Sequence, residues 1–310
     1  MNALVGYTGF VGSNLFASGA FEKGFNSKNI QEAYGLEPGL LVYAGLRAEK
    51  YLANNFPEKD YALIEEAEQN LERIRPQKLV LISTVDVYQN PDGVNEDTEI
   101  LTEGLQAYGA DRYCLERWVR EYYPSALIIR LPGLFGTNLK KNFIYDFIHR
   151  IPFMVKEEKF QEFSSRFPEL DKYYERQDNG FYRCRQLDIE EERYVKKVFE
   201  QLNFSALSFT DSRSIFQFYP LERLWKDIQT ALSVGIRLWN PATEPVSASE
   251  LYRYLTGMDF VNERSGKPSF YDCRTKYAEY FGGQGGYIMS KQQVLEEIRK
   301  FVEKETGEEL

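Results

Sequence analysis

The sequence is poor in histidine and cysteine. Only one of its 310 residues is histidine, His149, which we interpret as a surface or packed side chain rather than a member of a Ser-His-Asp triad. The three cysteines, Cys114, Cys184 and Cys273, lie far apart and form no Cys-x-x-Cys pair. This pattern argues against a disulfide scaffold and against a zinc cluster. We therefore expect a protein of the reducing cytoplasm with no metal site.

The chain also lacks an excess of positive charge and a long apolar run. Its 38 basic and 47 acidic residues give a formal net charge of -9, which argues against a nucleic-acid partner. A small anionic ligand is still compatible, because a local pocket can be basic in an acidic protein. No run reaches the about 18 apolar residues that span a membrane. No basic segment followed by an apolar run opens the sequence, so we expect no secretory signal.

Short apolar runs alternate with helical periodicity through the first half of the chain. The predicted strands are residues 1–5, 40–43, 79–83 and 126–131, and the predicted helices are residues 12–18, 61–74 and 111–122. Such alternation predicts an α/β fold with a Rossmann-type, doubly wound parallel sheet.

The pattern changes after about residue 140. Residues 155–203 are rich in charge and aromatic side chains with helical periodicity, whereas strand character returns at 204–210 and 236–239, around a helix at 221–232. Ser247 and Glu250 form a capping box, and a last amphipathic helix begins near Ser290. We predict a dinucleotide-binding core made of residues 1–136 and 204–243. Residues 137–203 and 244–310 would form a smaller, mostly helical substrate lobe.

A glycine loop follows the first predicted strand and precedes the first predicted helix. In this place Gly6 permits a tight turn, Gly9 lets the backbone approach a pyrophosphate, and Gly12 allows close packing of helix and strand. The helix N-terminus then offers unpaired amides to the phosphates. The alternative is a tight turn without a ligand. The predicted cofactor contacts of the loop are Gly6, Thr8, Gly9, Phe10, Val11 and Gly12.

The end of the second strand bears on the choice of cofactor. NAD is often marked by an acidic side chain at this place, which binds the ribose hydroxyls. Residues 24–29 contain no acid, and Asn26, Ser27 and Lys28 are the predicted contacts. Ser27 and Lys28 suit a 2′-phosphate, which favours NADP(H) over NAD(H). The alternative is that Lys28 is an ordinary solvated lysine.

A tyrosine and an arginine lie one helical turn apart at Tyr108 and Arg112, so both side chains face the same side of a helix. A tyrosine acts as an acid or base near neutral pH only when its pKa falls well below about 10. A cation one turn away lowers that pKa. Thr84, at a strand end, is placed to share the proton. The spacing alone is a weak signal, because Tyr113 and Arg117 repeat it without such context.

Three segments together resemble one family: residues 6–12, Ser83–Tyr88 and Tyr108–Glu116. They are similar to the motifs of extended short-chain dehydrogenases/reductases of the NAD-dependent epimerase/dehydratase family. The resemblance implies that Thr84 and Tyr108 are the catalytic hydroxyls. Arg112 stands where the family has a lysine that binds the nicotinamide ribose and tunes the tyrosine. Arginine keeps the charge, but its planar fork is larger and is no proton relay.

The resemblance continues along most of the chain, apart from residues 155–203. It implies that residues 130–136 lie beside the nicotinamide and that Arg213 binds a nucleotide pyrophosphate. Asp86 stands where dehydratases carry an Asp-Glu pair, which favours epimerisation or carbonyl reduction over elimination of water. The further implied contacts are Ala44, Gly45, Leu46, Pro132 and Gly133 for the cofactor and Asp86, Lys141, Asn142 and Arg213 for the substrate.

The implied protein is an NAD(P)-dependent oxidoreductase whose substrate is a nucleotide sugar. The resemblance also implies a homodimer paired through the helices at 61–74 and 111–122. Two alternatives stay open. One is a redox-silent protein that binds a dinucleotide and reports its state to a partner, which the arginine at position 112 motivates. The other is reduction of a carbonyl compound without a nucleotide.

Overall fold

Five strands from the first half of the chain and one strand from the second half form a six-stranded parallel sheet flanked by helices. The computed structural model describes the backbone of residues 1–310 and the side chains of residues 1–51 and 53–310. In chain order the strands are β1 (Asn2–Val5), β2 (Lys23–Phe25), β3 (Leu40–Tyr43), β4 (Leu79–Thr84), β5 (Asp92–Val94), β6 (Leu127–Leu131), β7 (Gly133–Phe135), β8 (Met154–Lys156), β9 (Tyr174–Arg176), β10 (Phe181–Cys184), β11 (Ile215–Phe216), β12 (Phe218–Pro220), β13 (Leu238–Trp239), β14 (Val246–Ser247) and β15 (Asp272–Cys273). The helices are α1 (Phe10–Phe16), α2 (Lys50–Asn55), α3 (Pro57–Ile74), α4 (Ala107–Tyr122), α5 (Phe143–His149), α6 (Glu157–Arg166), α7 (Ile189–Gln201), α8 (Leu224–Ser233), α9 (Ala248–Thr256) and α10 (Lys291–Thr306).

The sheet has the strand order β13-β6-β4-β3-β1-β2, and each neighbouring pair is parallel. Every residue of β3 and of β6 is buried, as expected of strands covered by helices on both faces. The α/β, Rossmann-type prediction is therefore confirmed. The predicted strands and helices of the first half are also present, with α4 beginning at Ala107, so that Tyr108 lies in its first turn.

Two secondary-structure predictions in the second half are wrong. Residues 204–210 were expected to be a strand, but Ala206–Phe209 is a short 3-10 helix. The Ser208 hydroxyl accepts a hydrogen bond from the Ser205 amide at 3.2 Å, and such local bonds compete with sheet formation. The helical stretch 155–203 also contains a three-stranded antiparallel sheet in the order β8-β10-β9. These strands of three or four residues are too short to show a period of two.

The chain divides into two compact units. The first comprises Met1–Leu139, Ile215–Val246 and Phe270–Ile298, and the second comprises Lys140–Ser214, Ser247–Ser269 and Arg299–Leu310. The first unit holds the parallel sheet, with α3 and α4 packed on it through Ile64, Leu71, Leu115 and Val119. The second unit has its own core, in which Phe160, Phe163 and Phe199 pack together. Among the described residues, no helix combines the length and the apolarity that a membrane crossing requires.

Candidate active site

The glycine loop and Thr84 lie at the same edge of the parallel sheet. β1 ends at Val5 and β4 ends at Thr84, and both run parallel to β3 between them. The carboxyl ends of parallel strands meet at one edge of a sheet, which is where ligands bind in open α/β folds. The fold therefore brings the two most informative parts of the sequence to one place.

Two glycines of the loop are required by backbone packing. Gly6 has a positive φ of 89°, and a Cβ atom there would lie 2.3 Å from the carbonyl oxygen of Ala44. A Cβ atom on Gly12 would lie 2.0 Å from the carbonyl oxygen of Gly6. The first glycine therefore permits the turn against the end of β3, and the third lets α1 pack closely on the loop. These are the structural roles that the motif predicts.

The middle of the loop fits a pyrophosphate. A Cβ atom on Gly9 would meet only the Gly6 oxygen, at 3.3 Å, so space is open in front of it. Gly9 is the N-cap of α1, and no described side chain caps this helix. The amides of the first turn lack partners within the helix, and such amides attract phosphate oxygens. The residues present here therefore fit a dinucleotide, whose phosphates would lie against Gly9 and the amides of Phe10 and Val11.

The turn after β2 is held by its own asparagines. The Asn26 amide donates to Asn29 Oδ1 at 2.7 Å, and the Lys28 amide donates to Asn26 Oδ1 at 2.9 Å. Ser27 and Lys28 are exposed on this turn. After β3, Gly45 is exposed, whereas Leu46 packs against the core cluster. Ser27 and Lys28 are therefore open to solvent, and both their contact with a cofactor and the preference for NADP stay predictions.

The Asp86 carboxylate contacts three donor side chains at the end of β4. The Thr84 hydroxyl donates to Asp86 Oδ2 at 3.1 Å, and Lys50 Nζ lies 2.6 Å from the same oxygen. The Tyr271 hydroxyl donates to the other oxygen, Oδ1, at 3.1 Å. Lys50 Nζ also donates to the Tyr271 hydroxyl at 3.2 Å. Asp86 is therefore a carboxylate with both oxygens engaged by neighbouring side chains.

Tyr108 reaches this cluster because α4 begins directly against it. A Cβ atom on Gly109 would lie 2.1 Å from the carbonyl oxygen of Asp86, so only glycine permits this approach. The Tyr108 amide donates to Asn54 Oδ1 at 3.0 Å, which anchors the first turn of α4. Lys50 Nζ lies 5.9 Å from the centroid of the Tyr108 ring. The structure thus brings Thr84, Asp86 and Tyr108 together.

Arg112 packs its guanidinium group over the ring of Tyr108. Its guanidinium carbon is 4.4 Å from the centroid of the Tyr108 ring, and the residue is only 3% exposed. Nη1 donates to Asp60, and Nη2 donates to Asp60 Oδ1 at 3.1 Å and to the carbonyl oxygen of Arg47 at 2.6 Å. The two side chains share a helix face, as the spacing predicts, but each terminal nitrogen of Arg112 already donates at least one hydrogen bond within the protein.

The expected lowering of the tyrosine pKa is wrong. Burial raises the pKa of Tyr108 above its ordinary value. The positive charges of Arg112 and Lys50 lower the pKa of Tyr108, whereas the negative charges of Asp86 and Asp60 raise it further. The physical reason is that the phenol is buried and that each nearby cation is paired with a carboxylate. Tyr108 is therefore a protonated phenol at neutral pH, which is the form that donates a proton.

Lys50 remains charged in this setting. Burial lowers its pKa, but the neighbouring Asp86 carboxylate and Tyr271 outweigh that effect, so the pKa of Lys50 lies above its ordinary value. A lysine in this state donates hydrogen bonds and contributes a positive charge, and it does not act as a base at neutral pH.

Behind the site, the segment from Arg130 is anchored by a buried network. Arg130 Nη2 donates to Glu116 Oε2 at 2.6 Å and Nη1 donates to the Tyr88 hydroxyl at 2.8 Å. Ser83 Oγ donates to Glu116 Oε1 at 2.6 Å. A Cβ atom on Gly133 would lie 2.5 Å from the carbonyl oxygen of Gln217, so β7 approaches the chain before β12 closely. This network fixes the strand end next to Pro132 and Gly133, whose contact with a cofactor stays a prediction.

The remaining predicted substrate contacts belong to the second unit. Asn142 has a φ of 120°, and its side chain accepts from the amides of Ile144 and Tyr145 at the start of α5. Arg213 Nη2 donates to Asp211 Oδ2 at 2.7 Å. Lys141 precedes Asn142 and is exposed. The roles of Lys141, Asn142 and Arg213 as substrate ligands stay predictions.

Sequence reasoning missed Lys50, Asn54 and Tyr271. Lys50 and Asn54 lie on α2, and Tyr271 lies 185 residues after Asp86 along the chain. No spacing in the sequence links these residues to Tyr108, so no local signal identifies them.

Solved structures share this fold over nearly the full length. MoeE5 in complex with UDP-glucose and NAD has a TM-score of 0.63 and 14% identity, with 97% of each chain covered. A UDP-N-acetylglucosamine 4-epimerase from Methanobrevibacter ruminantium M1 has a TM-score of 0.64 and 10% identity, with 97% of this chain and 96% of that chain covered. A dTDP-4-dehydrorhamnose reductase from Bacillus anthracis str. Ames in complex with NADP has a TM-score of 0.62 and 14% identity, with 98% of this chain and 97% of that chain covered.

These comparisons define the fold. The chain shares the fold of these structures over nearly its whole length, so the resemblance stated from the motifs is confirmed at the level of the fold. No family model matches the sequence, and no curated protein matches it either.

Proposed function

We propose that the protein is an NAD(P)-dependent oxidoreductase that acts on a nucleotide-linked sugar by epimerisation or carbonyl reduction. The observation that carries this proposal is the position of the glycine loop and the Thr84–Asp86–Tyr108 cluster at one edge of the parallel sheet. Structures with the same fold include epimerases and reductases of nucleotide sugars. The lack of an acid in residues 24–29 favours NADP(H) over NAD(H).

Each residue of the cluster has a role in this proposal. Tyr108 holds the proton that passes to or from the substrate oxygen, and Thr84 donates a hydrogen bond to the same oxygen when its hydroxyl turns from Asp86 to the substrate. The nicotinamide, when bound, supplies hydride transfer at its C4 atom. Lys141, Asn142 and Arg213 hold the anionic and sugar parts of the substrate. The raised pKa of Tyr108 keeps the phenol protonated, which suits the direction in which a carbonyl is reduced.

We further propose a cytoplasmic homodimer that forms through α3 and α4. Tyr61 and Tyr122 on these helices are 44% and 57% exposed, and exposed aromatic side chains are typical of interfaces. Light scattering of the purified chain tests the oligomeric state, and a monomer at micromolar concentration would contradict this proposal.

One observation favours a second candidate. The terminal nitrogens of Arg112, at the position of the family's lysine, already donate to Asp60 and to the carbonyl oxygen of Arg47. This feature suits a protein that binds a dinucleotide without turning over a sugar, as a redox-silent sensor would. Tight cofactor binding with no turnover of any sugar nucleotide would favour this candidate.

Titration calorimetry with NADPH and with NADH tests the cofactor site first. We expect NADPH to bind more tightly, and we expect Gly9→Val to abolish binding, because its side chain fills the space in front of the loop. Gly39→Ala is the matched control, since a Cβ atom there meets its nearest neighbour at 3.5 Å. If neither cofactor binds at millimolar concentration, the dinucleotide proposal fails.

A turnover screen with sugar nucleotides then tests the chemistry. Tyr108→Phe is expected to keep cofactor binding and to lower turnover by at least about 100-fold, because it removes the proton donor. Tyr113→Phe is the matched control on the same helix, where Arg117 lies 5.6 Å from the ring. Equal turnover in the two variants would refute the role of Tyr108.

A further inference from the structure

The two cations near Tyr108 differ in what they can still bind. Arg112 is 3% exposed, and both of its terminal nitrogens already donate to Asp60 or to Arg47. A bound ligand could reach these nitrogens only if the buried pair with Asp60 opened. The charge of Arg112 therefore acts on the tyrosine ring at 4.4 Å, and because Arg112 is buried it presents no accessible donor to a ligand.

Lys50 is the opposite case. Its side chain is 49% exposed, and its ammonium group uses two donors, one to Asp86 and one to Tyr271. An ammonium group has three N–H donors, so one remains for an acceptor on a ligand. Asp86 and Tyr271 hold the group in place, so little side-chain freedom is left to lose when that third bond forms.

We propose that Lys50 performs the function that the motif assigns to the residue at position 112. Lys50 donates a hydrogen bond to a hydroxyl or carbonyl oxygen of the ligand bound beside Tyr108, and its charge stabilises the tyrosinate that forms during proton transfer. Asp86 and Tyr271 are positioning residues for Lys50. The ligand contact of Lys50 rests on the proposed function. The effect of the Lys50 charge on the ionisation of Tyr108 does not depend on any substrate.

The position of Lys50 in the fold supports this assignment. Lys50 is the first residue of α2, and Asn54, on the same short helix, accepts from the Tyr108 amide at 3.0 Å. One short element therefore both anchors the first turn of α4 and carries the ammonium group. The ionisable groups that act on Tyr108 are Arg112, Asp86, Lys50 and Asp60. Of the two cations among them, Lys50 is the one whose donors are accessible from solvent.

Fluorine NMR of a labelled phenol tests the proposal directly. Difluorotyrosine is placed at position 108, and its ionisation is followed by chemical shift in the otherwise unchanged chain and in Lys50→Met, Lys50→Arg and Lys59→Met. Removal of a charge about 6 Å from the ring is expected to change the ionisation constant roughly tenfold, towards a weaker acid. Lys50→Arg is expected to retain most of the original value.

Lys59→Met is the matched control. Lys59 also lies near an aromatic ring, with its Nζ 5.2 Å from the centroid of Phe56, but on the exposed start of α3. We expect no change in the ionisation of the label in this variant. An ionisation constant in Lys50→Met equal to that in Lys59→Met would overturn the proposal. Circular dichroism and melting temperature show whether each variant folds, and Lys50→Arg provides the comparison if Lys50→Met does not.

The contact of Lys50 with the ligand is tested by steady-state kinetics, which measure KM and kcat separately. With the nucleotide sugar and NADPH that support turnover, Lys50→Met is expected to lower kcat at least about tenfold, with partial recovery in Lys50→Arg. If the natural chain turns over no sugar nucleotide, the proposed function fails, while the NMR result still decides the effect of Lys50 on Tyr108. If turnover exists and Lys50→Met retains it in full, the contact of Lys50 with the ligand is refuted and the proposed function stands.

Discussion

Two ion pairs near Tyr108 carry the same charges in different surroundings. The buried side, as we call it, is Arg112 with Asp60, and the exposed side is Lys50, half exposed, with Asp86. Each pair joins one cation to one carboxylate, so a count of charges does not distinguish the two sides. Burial distinguishes the two pairs, because a buried pair holds the fold together while an exposed pair keeps a donor available for a ligand. The comparison shows that the charge expected from a motif is useful for chemistry only where its donors are accessible.

The largest effect is expected from removing the buried cation. Arg112→Met leaves Asp60 without its partner inside the protein, and breaking a buried pair in this way costs about 3–5 kcal/mol. Urea unfolding measures the loss. Arg117→Met, one turn further along α4 on an exposed position, is the control and is expected to change stability by less than about 0.5 kcal/mol. Equal losses in the two variants would contradict the structural role of Arg112.

A conservative substitution, Arg112→Lys, tests the role of the buried cation more finely. Arg112→Lys restores the motif of the family, but it loses the two-nitrogen contact with Asp60 and the bond to the Arg47 carbonyl oxygen. We expect a loss of stability smaller than in Arg112→Met, and no gain in turnover. A rise in turnover would show that position 112 retains the chemical role and would favour the redox-silent reading of the natural chain.

A smaller loss of stability is expected where the start of α4 contacts the Asp86 backbone. Gly109→Ala places a Cβ atom 2.1 Å from the Asp86 oxygen, which must move α4 away from the end of β4. Overpacking of this kind costs about 1–3 kcal/mol, and it is expected to separate Tyr108 from Asp86 and lower turnover. Gly39→Ala serves as the control in the same unfolding and turnover assays. An unchanged turnover in Gly109→Ala would mean that the close approach is not needed.

The anchor of α4 on α2 is expected to contribute less. Asn54→Ala removes the acceptor for the Tyr108 amide and the bond to Gln106 at 2.9 Å. Loss of a comparable helix cap costs about 1 kcal/mol. Asn55→Ala is the neighbouring control, since the Asn55 side chain donates only to the exposed carbonyl of Tyr51. Thermal unfolding compares them, and equal melting temperatures would exclude an anchoring role for Asn54.

The smallest stability effect is expected on the exposed side. Lys50→Met removes a half-exposed ion pair, and such pairs contribute about 0–1 kcal/mol to folding. The same variant is expected to alter the ionisation of Tyr108 strongly, so stability and chemistry should separate. Urea unfolding of Lys50→Met beside Lys59→Met checks this. A loss as large as that of Arg112→Met would abolish the distinction between the two sides.

Much of the fold was predictable because its signals are local. The apolar runs at residues 40–43 and 79–83 are β3 and β4, and the capping box at Ser247 and Glu250 is present at the start of α9. The strands β8, β9 and β10 were not predictable, since three or four residues carry too little periodicity. The segment 204–210 was predicted as a strand, and the Ser205–Ser208 contact made part of it a 3-10 helix instead.

The candidate site divides in the same way. Some site residues belong to motifs that lie within one strand end or one helix turn, so the sequence alone reveals them. These residues are Gly6, Gly12, Thr84 and Tyr108. Lys50, Asn54 and Tyr271 come from separate elements. Their meeting depends on which strand ends lie side by side, and nothing in the local sequence records that.

By itself, the sequence determined the alternation of strands and helices in the first half of the chain, the glycine turn and the placement of a tyrosine one turn before a cation. Each of these depends on residues near one another along the chain. Only the tertiary structure decided which cation has a donor left for a ligand and whether the tyrosine is a stronger or a weaker acid. Those properties depend on burial and on the carboxylates Asp60 and Asp86, which reach Tyr108 from other elements through the packing of the whole first unit.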